Sequence, residues 1–337
     1  MDLEIIGITV LGIFLFGYLI VGSIDFGAGF YSTYSDWAGK KHIIHRVIQR
    51  YLSPVWEVTN VFLVFFFVGI VGFFPKTAYY YGSALLIPGS ISIILLALRG
   101  SYYAFATYGA KESKLYMFLY GMTGILIPAS LTTVLSISEG GFIKVEGNQI
   151  TLLTKDLLTS PYSWSIVMVA LVSVLFISAS FLTYYAYAAK DYKALTLLRK
   201  YALLWSIPSI LTGLLAVYTL KHHNLEHYEG MLELKGLFIA SFISFIIAVY
   251  QIYRQKNYGI AFLAVVFQYA FAFLAYGMSH YPYLLYPYLT LYDGFTNETM
   301  AKALIAAFIA GLCLLLPSLY LLLRLFLFNK DYIQGQK

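Results

Sequence analysis

Read as alternating stretches of apolar and polar positions, the chain is dominated by continuous apolar runs rather than by period-2 or period-3.6 patterns. Nine such runs of about 20 residues are each long enough to cross a hydrocarbon core of roughly 30 Å. They lie near 5–30, 53–74, 78–98, 115–137, 162–187, 201–220, 236–253, 258–279 and 303–327. Each predicts a transmembrane α-helix; a β-barrel would need ten-residue alternating strands, which are absent from the pattern. Pro88 falls inside the third run and weakens it as a single helix. The first run is too long for a signal peptide and has no basic leader, so it is expected to remain in the mature protein. The longest connection covers 138–161. No linker divides the chain, so residues 1–337 read as a single polytopic membrane domain.

Composition supports that reading. Of 337 residues, 60% are hydrophobic and only 11% charged, against about a quarter charged in an ordinary soluble domain. A soluble enzyme, a nucleic-acid binder and a disordered chain are thereby excluded. The one cysteine, Cys313, excludes a disulfide framework and any multi-cysteine metal site.

The net charge of +6 acquires meaning once the basic residues are sorted by side. With the N-terminus outside, Lys40, Lys41, Arg46, Arg50, Arg99, Lys111, Lys114, Lys190, Lys193, Arg199, Lys200, Arg254, Lys256, Arg324, Lys330 and Lys337 fall inside. Lys76, Lys144, Lys155, Lys221, Lys235 and Lys302 fall outside, a split of 16 to 6 among the 22 basic residues. The positive-inside rule then predicts an outer N-terminus and a cytoplasmic C-terminus, which needs an odd number of spans. The positive charge faces anionic lipid head groups, not nucleic acid. Many of the 32 tyrosines, such as Tyr79, Tyr80 and Tyr81, sit at span boundaries and form head-group belts.

Two of the sixteen acids lie within spans: Asp25 in the first and Glu57 in the second. A charge at the bilayer centre costs about 2.5–3.5 kcal/mol on insertion scales, so such acids are functional candidates. Counted from the span ends, both lie roughly 6–8 Å below the cytoplasmic surface. Facing each other at one depth, they would form an entry for protons, and Asn60, one turn after Glu57, extends the polar file. The competing reading is that one or both acids pair with Arg99 and only pin helices together.

The histidines are absent from the span centres. His42 and His45 lie in the first inner loop, His222, His223 and His227 in an outer loop, and His280 at an outer span end. A haem within the bundle needs an axial His, Met, Cys or Tyr. Met117, Met122, Met168 and Cys313 are available, but no mid-membrane histidine pair is. The outer histidines read as a solvated loop with no metal site. Gly22, Gly27 and Gly29 give the first helix a small-residue face for close packing.

Three segments carry a resemblance to a known family. Gly22-Ser23-Ile24-Asp25-Phe26-Gly27-Ala28-Gly29 resembles the D-G-F-D-x-G-x-G signature of subunit II of cytochrome bd quinol oxidases. Pro54-Val55-Trp56-Glu57-Val58-Thr59-Asn60-Val61-Phe62 resembles that subunit's second-span motif, and Leu98-Arg99-Gly100 the L-R-G closing its third. Departures are Gly22 for the first Asp, Thr59 for an Asn, Phe62 for a Trp, and Ala104 where the family often has an acid.

The resemblance implies an all-α integral membrane protein of nine transmembrane helices, arranged as two four-helix bundles plus one peripheral helix. It implies a complex that oxidises quinol outside and reduces oxygen to water with cytoplasmic protons. Two b-type haems and one haem d would lie in a pseudo-symmetric partner, subunit I, with no haem ligated by this chain. A bound quinone and a small single-span accessory subunit are further candidates, and the location is the cytoplasmic membrane of a bacterium or archaeon. By position, proton conduction falls on Glu57, with Asp25 at the matching first-span acid. The alternatives are a proton-coupled secondary transporter, which would show paired interrupted helices, and a purely structural assembly subunit.

Overall fold

A computed structural model describes residues 2–39, 41–108, 114–147, 149–322 and 324–325, with side chains except at 41–42, 45–47, 49–58, 103–108 and 114. The chain forms α1 (Leu3–Trp37), α2 (Lys41–Phe73), α3 (Pro75–Ala84), α4 (Leu86–Tyr108), α5 (Lys114–Leu131) and α6 (Thr133–Ser138). A hairpin of β1 (Ile143–Glu146) and β2 (Gln149–Leu152) follows, then α7 (Thr154–Thr159), α8 (Pro161–Ala188) and α9 (Tyr192–His223). After α10 (Leu225–Glu233), α11 (Lys235–Tyr253) and α12 (Tyr258–Ser279) come β3 (Tyr283–Leu285), β4 (Leu289–Thr290) and α13 (Glu298–Leu322). Among the described residues seven helices are long and apolar enough to cross a membrane, or eight with the bent pair 59–73 and 75–84.

The third apolar run departs from expectation. Instead of one helix over 78–98, α3 leaves the line of α2 at a bend of 119° and α4 begins afresh at Leu86. Pro75 occupies the first turn of α3, where its missing N–H costs nothing. Pro88 likewise sits in the first turn of α4, so it starts a helix rather than kinking one.

The first two helices also outlast their apolar runs. Asp25 stands twelve residues before Trp37 at the end of α1, not five residues from a helix end. Continuation is possible because the polar residues of that last stretch find partners. Thr33 Oγ1 donates to the Met117 carbonyl at 2.7 Å, Ser35 Oγ to the Ser32 carbonyl at 2.8 Å, and Ser32 Oγ contacts the Met117 sulfur at 3.3 Å. Helix α1 stops where Gly39 adopts φ +68°, the left-handed conformation that ends many helices. Other starts are capped by sequence: Ser160 accepts from the Ser163 amide ahead of Pro161, and Asp191 from the Ala194 amide.

Helix α1 packs on α2, α5, α8 and α13; α4 packs on α5; and α8, α9, α11 and α12 pack on one another in sequence, with α12 returning to α8. Buried apolar side chains form a cluster among α1, α2, α5, α8, α9, α11 and α12 and another among α1, α2, α5, α8 and α13. A third lies at the end carrying both hairpins, under α3, α6 and α10. In lipid, burial adds little, and association rests on close packing and interhelical hydrogen bonds. Ser178 Oγ donates to the Ile24 carbonyl at 2.9 Å, and Tyr31 Oη to the Leu175 carbonyl at 2.9 Å, fastening α1 to α8.

Candidate functional site

The centre of the first helix group holds a buried ion pair. Arg99 Nε of α4 donates to Asp25 Oδ2 of α1 at 2.8 Å, and both side chains are almost fully buried. Its Nη2 donates to the Asp25 carbonyl at 2.6 Å, and its Nη1 to the Tyr120 carbonyl at 3.0 Å and to Thr123 Oγ1 at 3.2 Å. The guanidinium also lies over the Tyr120 ring at 4.3 Å and within 5.2 Å of the Phe26 ring. Such a fully engaged fork is what a charge removed from water requires.

Glycine makes room for this arrangement. A Cβ on Gly29 would lie 2.8 Å from the Tyr120 carbonyl oxygen and 3.0 Å from Arg99 Nη1. One on Gly27 would lie 2.3 Å from Ser178 Cβ, on the opposite neighbour α8. The small residues of α1 therefore serve two interfaces, one toward Arg99 and α5 and one toward α8. Gly22, by contrast, would bring a Cβ no nearer than 3.4 Å to any atom outside its immediate neighbourhood, and that atom belongs to Phe26 of the same helix.

The remaining sequence candidates lie on α2. Thr59 is buried and Asn60 half-buried, while the side chain of Glu57 lies outside the described residues. Helices α1 and α2 pack against each other, with Phe73 beside Gly7 and Phe62 beside Gly17. Tyr18, two turns before Asp25, is buried with a hydroxyl that has no hydrogen-bond partner.

A second polar centre, at the end carrying the hairpins, was not legible in the sequence. The reading of His227 as part of a solvated loop does not hold: it is 3% exposed, and Glu139 is 2% exposed. Glu139 ends α6, and Gly140 and Gly141, at φ +81° and +78°, turn the chain away so that its carboxylate stays at the helix end. His227 Nδ1 lies 2.9 Å from both carboxylate oxygens, Asn224 Nδ2 donates to Oε2 at 3.0 Å, and the Tyr276 hydroxyl donates to Oε1. His280 Nδ1 lies 3.5 Å from Oε1.

Burial alone pushes the Glu139 carboxyl up. The His227 hydrogen bond, the His280 and His227 charges and the Tyr276 hydrogen bond outweigh it and leave the carboxyl below its ordinary range. His280 is pushed down, chiefly by burial. His223 is held nearby between the rings of Phe142 and Tyr162, each at 4.9 Å. The only sequence signals were an acid followed by two glycines at a span end and Asn224 as an N-cap. Neither says that the end of α6, the start of α10 and the end of α12 converge.

Comparison with known proteins bears on the first centre. The model of the cytochrome bd terminal oxidase subunit II family matches residues 3–326. A Bacillus subtilis (strain 168) protein, whose name assigns it to subunit II of a cytochrome bd menaquinol oxidase, is 34% identical, over 99% of this chain and 98% of its own length. A chain in the structure of bd oxidase from Geobacillus thermodenitrificans is 66% identical and superposes with a TM-score of 0.86, over 98% of this chain and 100% of its own. The segments that place Asp25 and Arg99 together thus lie inside a match spanning nearly the whole chain, and the chain belongs to the cytochrome bd terminal oxidase subunit II family.

Proposed function

We propose that this chain is the haem-free subunit II of a quinol:oxygen oxidoreductase in a prokaryotic cytoplasmic membrane. In this reading it supports a haem-bearing subunit I and carries protons from the cytoplasm toward that partner's oxygen-reducing site. The observation that carries the proposal is the Asp25–Arg99 pair, buried where the first- and third-span motifs meet. The name of the Bacillus subtilis relative carries menaquinol, and menaquinol is the quinol assigned. Quinone held as a structural cofactor and a single-span accessory subunit belong to the same proposal.

Nine spans follow if α2 and α4 cross the membrane with the seven helices long and apolar enough to do so. An odd number puts the termini on opposite sides, in keeping with the 16 to 6 distribution of basic residues. The packing of α8, α9, α11 and α12, and of α1, α2, α4 and α5 with α13 alongside, supports two four-helix bundles and a peripheral helix.

The donor set supports placing the haems in the partner. Among the described residues no histidine lies in the middle of a span; His222 and His223 stand in the last turn of α9. Met117 accepts from Ser32, and the approaches at Gly27 and Gly29 leave no space for a macrocycle beside Asp25. The close packing beside Asp25 supports the reading that the haems are held by the partner.

Protons would enter at Glu57, pass Asn60 and move by way of Asp25. Arg99 never gives up its proton, so any proton passing the ion pair moves on the carboxylate. The test is Glu57→Gln in the assembled complex. Oxygen consumption is expected to fall, approaching the roughly 100-fold that a positioned proton-transfer group contributes, with the haem spectrum unchanged. Unaltered turnover with preserved voltage generation would overturn the assignment of Glu57. A complex purified through this chain that lacks haem absorption would overturn the whole reading in favour of a transporter.

A further inference from the structure

We propose that Glu139, His227 and His280 form a binding site for one divalent transition-metal cation of the zinc type, at the end of the molecule that carries the hairpins. The three donor atoms lie within 4.8 Å of one another. Zinc with nitrogen and oxygen ligands at about 2.0–2.1 Å in tetrahedral geometry sets its ligands roughly 3.3 Å apart. The observed separations from Glu139 Oε1, 2.9 Å to His227 Nδ1 and 3.5 Å to His280 Nδ1, lie on either side of that value. The remaining separation, between the two imidazoles, is at most 4.8 Å, so the rings would draw together on a bound ion.

The surroundings of each ring support a ligand role. His227 Nε2 lies 3.2 Å from the Tyr276 carbonyl and 2.8 Å from Ser279 Oγ. With the proton on Nε2 and donated to that carbonyl, Nδ1 presents its lone pair to the carboxylate. That is the outer-shell arrangement typical of metal-binding histidines. Two lone-pair-bearing groups facing each other in a buried place need a cation between them, a proton or a metal.

His280 separates those two cases. A proton on His227 satisfies His227 and Glu139, but it does nothing for His280. That ring is nearly buried, with a side chain 11% exposed, yet its Nδ1 stands 3.5 Å from the carboxylate and its Nε2 has no hydrogen-bond partner. Buried imidazoles are rarely left without a short hydrogen bond at either nitrogen. A metal bound to Nδ1 gives His280 the strong partner it otherwise lacks. Asn224 and Tyr276, which hold the carboxylate from its other sides, would then orient it toward the ion.

The purified oxidase complex, stripped with a chelator and dialysed against Zn2+ alone, tests this. Wild type is expected to retain one zinc per complex, with zinc-edge X-ray absorption showing two imidazoles and no sulfur. His280→Ala and Glu139→Gln are expected to weaken retention by at least about 100-fold, beyond what loss of a merely supporting group produces. His222→Ala, which removes an exposed neighbouring imidazole, is expected to change nothing. If Glu139→Gln does not assemble, as judged by its haem spectrum, His280→Ala decides, because no hydrogen bond at its Nε2 is lost. Equal zinc in wild type and His280→Ala, or zinc that disappears with His222, would overturn the proposal.

Discussion

Arg99 holds Asp25 by both its side chain and its backbone: Nε meets Oδ2 at 2.8 Å while Nη2 meets the main-chain carbonyl at 2.6 Å. The same guanidinium spans to Tyr120 and Thr123, so one residue of α4 locks α1 to α5. A lysine could neutralise Asp25 but could not fill four acceptors in one plane.

Arg99→Ala is therefore expected to destabilise the complex by about 3–5 kcal/mol, because it leaves a buried carboxylate without its counter-charge. Arg99→Lys should recover only part of that loss. The double variant Asp25→Leu with Arg99→Met should unfold closer to wild type than Arg99→Ala does, since it leaves no isolated charge. Thermal unfolding of the purified complex reads all three. A double variant no better than Arg99→Ala would show that the pair matters for something other than charge compensation.

The glycines of α1 differ sharply in what they tolerate. Gly27→Ala places a Cβ 2.3 Å from Ser178 Cβ and 2.8 Å from the Val174 carbonyl oxygen, so backbone must move. Overpacking of this kind costs about 1–3 kcal/mol. Gly22→Ala meets nothing closer than 3.4 Å and should be neutral or slightly stabilising. Assembly yield and melting temperature of the two variants check the contrast. Equal effects would mean that α1 and α8 are not in the close contact described.

The apolar runs made most of the helices readable, because a segment that must satisfy its own backbone in lipid has few other options. Helix ends were less readable, since residues 31–37 are polar in sequence yet helical once their hydroxyls find partners on α5 and along α1. The break at Leu85, between α3 and α4, falls inside the continuous apolar run 78–98, and that continuity obscured it. For the site, the intramembrane acid Asp25 is conspicuous in the sequence and lies in a buried ion pair with Arg99, whereas Glu139 looked like any acid at a span end. Its burial depends on Asn224, His227 and Tyr276 arriving from helices 85 to 137 residues away, and pattern in one sequence carries no such distance information.

A pH effect is expected in the β3–β4 hairpin. Asp293 accepts from the Thr290 amide and hydroxyl, each at 2.7 Å, and these bonds, with a smaller contribution from Lys76, hold its carboxyl below the ordinary 3.8. A depressed carboxyl contributes stability that is fully present above 3.8 and is lost as pH falls through the lower folded value. Amide exchange across 283–293, corrected for intrinsic rates, should thus show protection at pH 5 that declines below the ordinary value. Asp293→Asn should show weaker protection at pH 5 and little further decline. A wild-type decline that begins well above 3.8 would contradict the assignment.

Asn224 offers a way to separate helix capping from the burial of Glu139. Its Oδ1 accepts from the His227 amide at 3.1 Å as the N-cap of α10, while its Nδ2 donates to Glu139 Oε2 at 3.0 Å. Ser, Asp and Asn cap about equally well, and loss of the cap to Ala costs about 0.5–2 kcal/mol. Capping alone therefore ranks Asn224→Ser and Asn224→Asp together, with Asn224→Ala worst. The contact to Glu139 reverses that order. Asn224→Ser keeps the cap and loses one donor, about 1–3 kcal/mol for a buried acceptor left short. Asn224→Asp keeps the cap but sets a second carboxylate against a buried first one, and should be the most damaging of the three. Hydrogen exchange of α10 and limited proteolysis of the flanking loops give the order directly. If Asn224→Asp proves as mild as Asn224→Ser, the carboxylate of Glu139 is not confined against α10 in the way its 2% exposure indicates.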